Sequence, residues 1–342
     1  MTTEFEKALQ ERFLILDGAS GTMLQKSGIK SSTGVGDSLN IENPEAILNL
    51  HREYISAGAD IIETNTFNNL GHDTNLAGAK LARRAADEAG RKVWVAGSMG
   101  PTSRMLSLSA DAEHPAARPA TFTEQAEAYS AQVEALLEGG VDLFLVETIF
   151  DPINAKAALY AIDKVCESKG VRLPVMVSAT ANDRQGRLLT GQSIEALYHT
   201  LEGYGITSFG LNCSFGAKDL EPIIVSIAPQ VKCAISVYPN AGLPNENGEY
   251  EESPQDTAAA IRSMAEKGLI NIAGGCCGTT PEHIKAIKTA VSSLAPRQWG
   301  CPSNLCRPRH HKRGNRLRWG PAEQDNCQGS PTHEDYSFGE RP

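Results

Sequence analysis

"INIAGGCCGTTPEHI", residues 270–284, packs an apolar run, a glycine-flanked pair of cysteines and a helix start into one short stretch. The run entering it, "LINIAGGCCG" (269–278), reads as a strand. Beyond it Thr280 can cap and Pro281 can occupy the first helical position. Ile284, Ile287, Val291 and Leu294 then recur at helical spacing. The cysteines between are the odd feature. Adjacent cysteines make a strained disulfide, and on a strand they would point to opposite faces. Turning both sulfurs one way needs a bend and a reason. Gly274, Gly275 and Gly278 offer the bend, since glycine reaches backbone angles a strand does not.

The same strand, bend and helix order recurs along the chain. Seven earlier runs are β-rich: "RFLILDG" (12–18), "ADIIETNTF" (59–67), "VWVAGSMGP" (93–101), "VDLFLVET" (141–148), "PVMVSATA" (174–181), "ITSFGLNCS" (206–214) and "KCAISVYPNAG" (232–242). Their largely continuous apolar character suits parallel strands covered by helices. Helical patterns lie between them. Pro44 precedes Ile47, Leu50 and Tyr54, and residues 121–138 place Ala128, Val133, Leu136 and Leu137 on one side. Eight strands, each followed by a helix, predict an α/β fold of the (β/α)8 TIM-barrel type over residues 1–296. An open doubly wound sheet competes, but no GxGxxG follows the first strand.

Residues 297–342 break the pattern. They carry no strand or helix periodicity, are rich in Pro, Gly, Arg and His, and are expected to form an irregular, disordered tail. Cys301, Cys306, His310, His311 and Cys327 fall there at spacings that match no zinc-finger pattern. The net charge of −9 argues against nucleic acid or an anionic membrane as main partner. The start lacks the basic end and long apolar segment of a signal peptide, and no apolar stretch approaches a bilayer span. A soluble, cytoplasmic protein is expected. In that reducing compartment its eight cysteines are better read as ligands, core residues or nucleophiles than as disulfides.

Barrel chemistry sits at the carboxyl ends of strands. Those ends bring Asp17, then Glu63, Thr64 and Asn65, then Glu147, Asn212 and Cys213, Asn240, and finally Cys276 and Cys277. Any one carboxylate here reads equally well as a cap, and a lone cysteine as a small core residue. Cys166, inside a helix, and Cys233, early in the seventh strand, take that second reading. Three strand-end cysteines together point to a soft cation. Zinc in a three-thiolate site is the plain candidate, ahead of a phosphate nest that would leave the sulfurs idle. Three thiolates make zinc a weak Lewis acid, poor for hydrolysis. Such a centre suits binding a substrate thiol as an electron-rich thiolate at an open fourth position. From the residues alone, the chemistry is alkyl transfer to a thiol.

"ILDGASGTMLQ" (15–25), "AGSMGPT" (96–102), "SFGLNCS", "YPNAGLPN" (238–245) and "GGCCGTTPEHI" (274–284), with the strand-two and strand-four motifs, closely resemble the homocysteine-binding barrel of cobalamin-dependent methionine synthase. The likeness runs through essentially all of residues 10–296. It implies zinc on Cys213, Cys276 and Cys277, and homocysteine activated to attack the methyl of methylcobalamin. It also implies that Asp17 and Glu147 hold the substrate ammonium, and that backbone amides around Ser20 and Gly21 hold its carboxylate. Asn240 matches a position able to offer the metal an oxygen when substrate is absent. Thr64 and Asn65 are secondary candidates. Where the family usually has Met, this chain has Ser20, a change that leaves a backbone amide in place. The cobalamin- and folate-binding modules the resemblance implies would lie on other chains. Two further expectations stand beside this one. The first is a self-sufficient homocysteine methyltransferase using S-methylmethionine or betaine; the second is a truncated fragment that binds zinc and homocysteine without transferring a methyl group.

Overall fold

The computed structural model describes residues 2–69, 71–109, 113–114 and 116–299. The strands are β1 (Leu14–Ile15), β2 (Ile61–Glu63), β3 (Trp94–Met99), β4 (Leu143–Ile149), β5 (Val175–Ala179), β6 (Ser208–Asn212), β7 (Ala234–Tyr238) and β8 (Ile272–Ala273). The helices are α1 (Glu4–Glu11), α2 (Ser20–Lys26), α3 (Leu39–Glu42), α4 (Pro44–Ala57), α5 (His72–Asp87), α6 (Phe122–Glu138), α7 (Pro152–Lys169), α8 (Ile194–Leu201), α9 (Ala217–Ile227), α10 (Pro254–Glu266) and α11 (Pro281–Val291). All neighbouring strands are parallel, in the order β1-β8-β7-β6-β5-β4-β3-β2. A parallel bridge from Leu16 to Ile61 joins the two ends. The chain is a (β/α)8 barrel, and each strand falls on one of the eight runs read from the sequence.

The strands are apolar on both faces because both are covered. Ile15, Ile62, Val95, Phe144, Val177, Phe209, Ile235 and Val237 pack outward against the helices. Leu14, Leu16, Ile61, Trp94, Ala96, Leu143, Leu145, Met176, Ala234 and Ile272 fill the lumen. Phe5 and Leu9 of α1 plug the amino end, with Phe5 edge-on to Trp94 at 5.6 Å. Alternation along each strand makes the next inward position polar: Glu63, Ser98, Glu147, Ser178 and Asn212, together with Tyr238. An apolar plug therefore carries a polar layer at the carboxyl end.

Two local expectations change. The buried face of α6 runs through Ala126, Tyr129, Val133 and Leu136, while Ala128 is exposed, so the stripe lies a little round the helix from its expected place. Secondly, the irregular tail was expected to begin at residue 297. Instead the Arg297 guanidinium donates to the carbonyls of Ala228 (2.8 Å), Val231 (2.6 Å) and Cys233 (2.9 Å). Its amide donates to Ile270 O at 3.0 Å, and Trp299 packs partly buried on the core. Residues 297–299 belong to the amino end of the barrel. The remainder of the tail expectation, with its cysteines and histidines, lies outside the described residues. No described helix is long and apolar enough to cross a membrane.

Candidate functional site

β7 lies between β6 and β8, and its carboxyl end zips their two cysteine segments together. Cys213 N donates to Tyr238 O (3.2 Å), Cys276 N to Pro239 O (2.7 Å) and Ala241 N to Cys277 O (2.9 Å). Asn240 N in turn donates to Phe215 O at 3.0 Å. Cys213 and Ser214 both take left-handed backbone angles, each with φ of 60°. Two successive non-glycine residues there carry strain, as turns at functional sites often do. On the other side, only Gly278 of the three glycines is left-handed, at φ 81°. Gly274 and Gly275 contribute space rather than unusual angles. A Cβ on Gly275 would lie 2.3 Å from Thr279 Oγ1, and one on Gly274 would lie 2.7 Å from Leu16 Cβ. The Thr279 hydroxyl donates to Cys276 O (2.7 Å) and accepts from Ala19 N (3.2 Å), tying the cysteine turn to the turn after β1.

The result is a cluster. The sulfurs of Cys213, Cys276 and Cys277 all lie within 4.8 Å of one another, and those of Cys213 and Cys277 are 3.8 Å apart. Zinc–thiolate bonds of about 2.3 Å in a tetrahedron place sulfurs roughly 3.8 Å apart, a spacing the Cys213–Cys277 pair meets and the whole set approaches. All three are half-buried, open to an incoming ligand. Hydrogen bonds from the thiols of Cys213 and Cys276 pull Cys277 down to about 3, while hydrogen bonding to Cys213 and Cys277 pushes Cys276 well up. Tyr250 lies beside Cys277 and is itself raised to about 12 by burial and the neighbouring sulfurs. Asn240, only 3% exposed, has an Oδ1 with no partner.

Next to the sulfurs sit three carboxylates. Asp17 Oδ2 accepts from Glu63 N at 3.0 Å, whereas its Oδ1 is buried without a partner. Glu147 Oε1 accepts from Ser98 Oγ. Burial pushes Glu147 up to about 7, and burial with neighbouring negative charge raises Asp17 and Glu63 well above the usual carboxylate range. None of the three has a Lys or Arg ion-pair partner among the described residues. Buried carboxylates in this setting favour an incoming cation.

The other candidates divide. Ser20 and Gly21 open α2, whose first turn receives no side-chain cap. Thr64 and Asn65 serve the scaffold instead. Thr64 Oγ1 shares a proton with Thr66 Oγ1 (2.6 Å) and accepts from Ser98 N (3.0 Å); Asn65 Nδ2 donates to Gly36 O and Asn40 Oδ1. Cys166 and Cys233 are buried core thiols, as expected. Glu63 was visible as a polar strand end but carried no role, and Tyr238 and Tyr250 went unnoticed. For the first two the signal was present: each lies in inward register at the end of its strand.

Residues 14–291 match the homocysteine S-methyltransferase family. The chain belongs to that family. Among solved structures, this homocysteine S-methyltransferase barrel is similar to the homocysteine methyltransferase MmuM from Escherichia coli. To the metallated form it is 25% identical with a TM-score of 0.63, covering 82% of this chain and 96% of that one. The apo form gives 25% and 0.62 over 82% and 97%. The oxidized form, at 23% identity and a TM-score of 0.65 over 81% and 95%, attests the fold alone.

Proposed function

We propose that this chain carries out zinc-dependent methyl transfer to the thiol of L-homocysteine, yielding methionine, with methylcobalamin on a separate module as donor. One observation carries the reading: three sulfurs from two separated segments gather within 4.8 Å of one another, close enough to share one metal ion. The metallated form of MmuM, a family relative, supports a metal there. Bound to Cys213, Cys276 and Cys277, zinc would keep an incoming thiol deprotonated yet electron-rich at neutral pH. The protein's own groups do the rest. Asp17 and Glu147 accept the substrate ammonium, which relieves their unpaired burial, and the amides of Ser20 and Gly21 receive its carboxylate. Asn240 Oδ1, buried and unpartnered beside the cysteine turn, is available to the metal until the thiol arrives.

The donor rests on the motif resemblance to the cobalamin-dependent enzymes; the folate-binding module belongs to the same reading. A self-sufficient enzyme using a small onium donor, S-methylmethionine or betaine, is the second reading, supported by a homocysteine methyltransferase, MmuM, 96% of whose chain is covered by this match. Assays of the zinc-loaded protein with homocysteine and each donor separate the two. Turnover with methylcobalamin alone is expected; turnover only with a sulfonium or betaine overturns the donor assignment, and tight homocysteine binding without any product marks an idle binding fragment. The metal assignment has its own test. Cys276→Ser should lose most bound zinc and all activity while keeping its far-ultraviolet circular dichroism, and stoichiometric zinc in that variant would sink the site.

A further inference from the structure

The polar layer at the top of the lumen is only partly hydrogen-bonded within itself. Ser98 serves Glu147, and Ser178 Oγ donates to Asn212 Oδ1 at 2.7 Å. Asn212 Nδ2 also donates to Thr148 Oγ1 at 2.8 Å. The side chain of Glu63 makes no hydrogen bond among the described residues. The hydroxyl of Tyr238, 1% exposed, is buried without a well-formed hydrogen bond, although the Ser178 hydroxyl lies close by and keeps acceptor capacity while donating to Asn212. Both lie in inward register, Glu63 two residues beyond Ile61 and Tyr238 at the end of β7, in the lumen cluster that Cys276 packs against. A buried orphan phenol costs free energy comparable to a lost hydrogen bond unless something fills its neighbourhood. The orphaned Asp17 Oδ1, 2% exposed, adds a second unmet acceptor at the same place.

We propose that Glu63 is a specificity-determining residue: it completes, with Asp17 and Glu147, a three-carboxylate cradle for a primary ammonium, with the Tyr238 hydroxyl on the lumen side. The inference rests on the homocysteine assignment above and narrows it. A primary ammonium has three N–H donors. Two carboxylates leave one of them free, and a third makes the pocket count hydrogens on nitrogen. The cradle therefore selects thiols bearing a free α-amino group and rejects those lacking the amine or carrying it acylated, because an uncharged occupant would leave three buried carboxylates without a counter-charge.

Calorimetric titration of the zinc-loaded protein with homocysteine and with 4-mercaptobutanoate, which keeps thiol and carboxylate but lacks the amine, tests this. The wild type is expected to prefer homocysteine by a hundredfold or more, on the order of the discrimination a buried hydrogen-bonding site achieves. Glu63→Gln should weaken homocysteine tenfold or more while leaving 4-mercaptobutanoate unchanged or tighter, so the preference shrinks. Glu63→Asp, keeping the charge on a shorter arm, should recover part of it. Zinc content and melting temperature check that each variant is folded. An unchanged preference in both variants overturns the role of Glu63 alone. A wild type that binds neither thiol overturns the homocysteine assignment and this inference with it.

Discussion

Glu147 illustrates how a single position trades stability for binding. Its folded-state carboxyl is raised to about 7 by burial, well above the ~4.3 of a free glutamate. Between those values the folded form binds more protons than the unfolded one, so stability falls as pH rises from about 4 through 7 and stays reduced above. Glu147→Gln keeps an oxygen for the Ser98 hydroxyl and removes the charge. The free variant should melt higher than wild type at pH 8, by on the order of 2 kcal/mol in stability, with the gap closing towards pH 5. The same variant should lose homocysteine affinity at least tenfold. Melts across that pH range that run parallel for the two proteins would contradict the assignment. That position was legible as a strand-end acid. Its raised proton affinity was not, because it depends on burial in the closed barrel and on Cys277 arriving from another strand.

Among the elements, the turn from Gly274 to Thr279 has the most exacting geometry. Thr279 Oγ1 fastens Cys276 O on one side and Ala19 N on the other, and the Tyr54 hydroxyl on α4 donates to Ala19 O at 2.9 Å. The metal-side turn and the substrate-side turn are therefore one hydrogen-bonded assembly. Gly275→Ala would drive a methyl group into Thr279. It is expected to lower zinc affinity about tenfold, as loss of outer supports to a metal site does, with all three cysteines intact. Zinc competition with a chelator reads this directly; wild-type affinity in the variant would show that the close approach is relieved elsewhere. The sequence pointed to glycine here, yet attributed all three glycines to backbone angle. Only Gly278 fits that account. For the other two the requirement is space, which is set by Thr279 and Leu16 across the turn.

For the whole molecule, the barrel's contacts reach at least to Arg297 and Trp299, beyond the point where periodicity stops. Three carbonyls near the start of β7 receive the Arg297 guanidinium, and removing it leaves them to find other donors at roughly 1 kcal/mol or more each. A chain ending at Trp299 should keep the melting temperature of the full chain. One ending at Pro296 should melt several degrees lower, given about 2–4 °C per kcal/mol for a domain of this size. Equal melting of the two truncations would place the boundary back at residue 296. We propose residues 1–299 as the folding domain on this ground. The sequence missed those three residues because their contribution is hydrogen bonding to distant carbonyls, which leaves no apolar period to read.

Parallel strands covered on both faces must be apolar throughout, and eight such runs alternating with helical stripes leave few architectures open; that much of the protein is written in local pattern. So is the placing of Asp17, Glu147 and the three cysteines at strand ends, since strand direction is the same in every repeat. What local pattern does not contain is which side chains meet. Cys213 reaches Cys277 because β7 stands between their strands and bonds to both, and because two residues at the end of β6 accept left-handed angles. Glu63 joins Asp17 and Glu147 only once the sheet closes on itself. Identity and spacing are properties of the chain, whereas convergence is a property of closure, and the chemistry proposed here depends on the second.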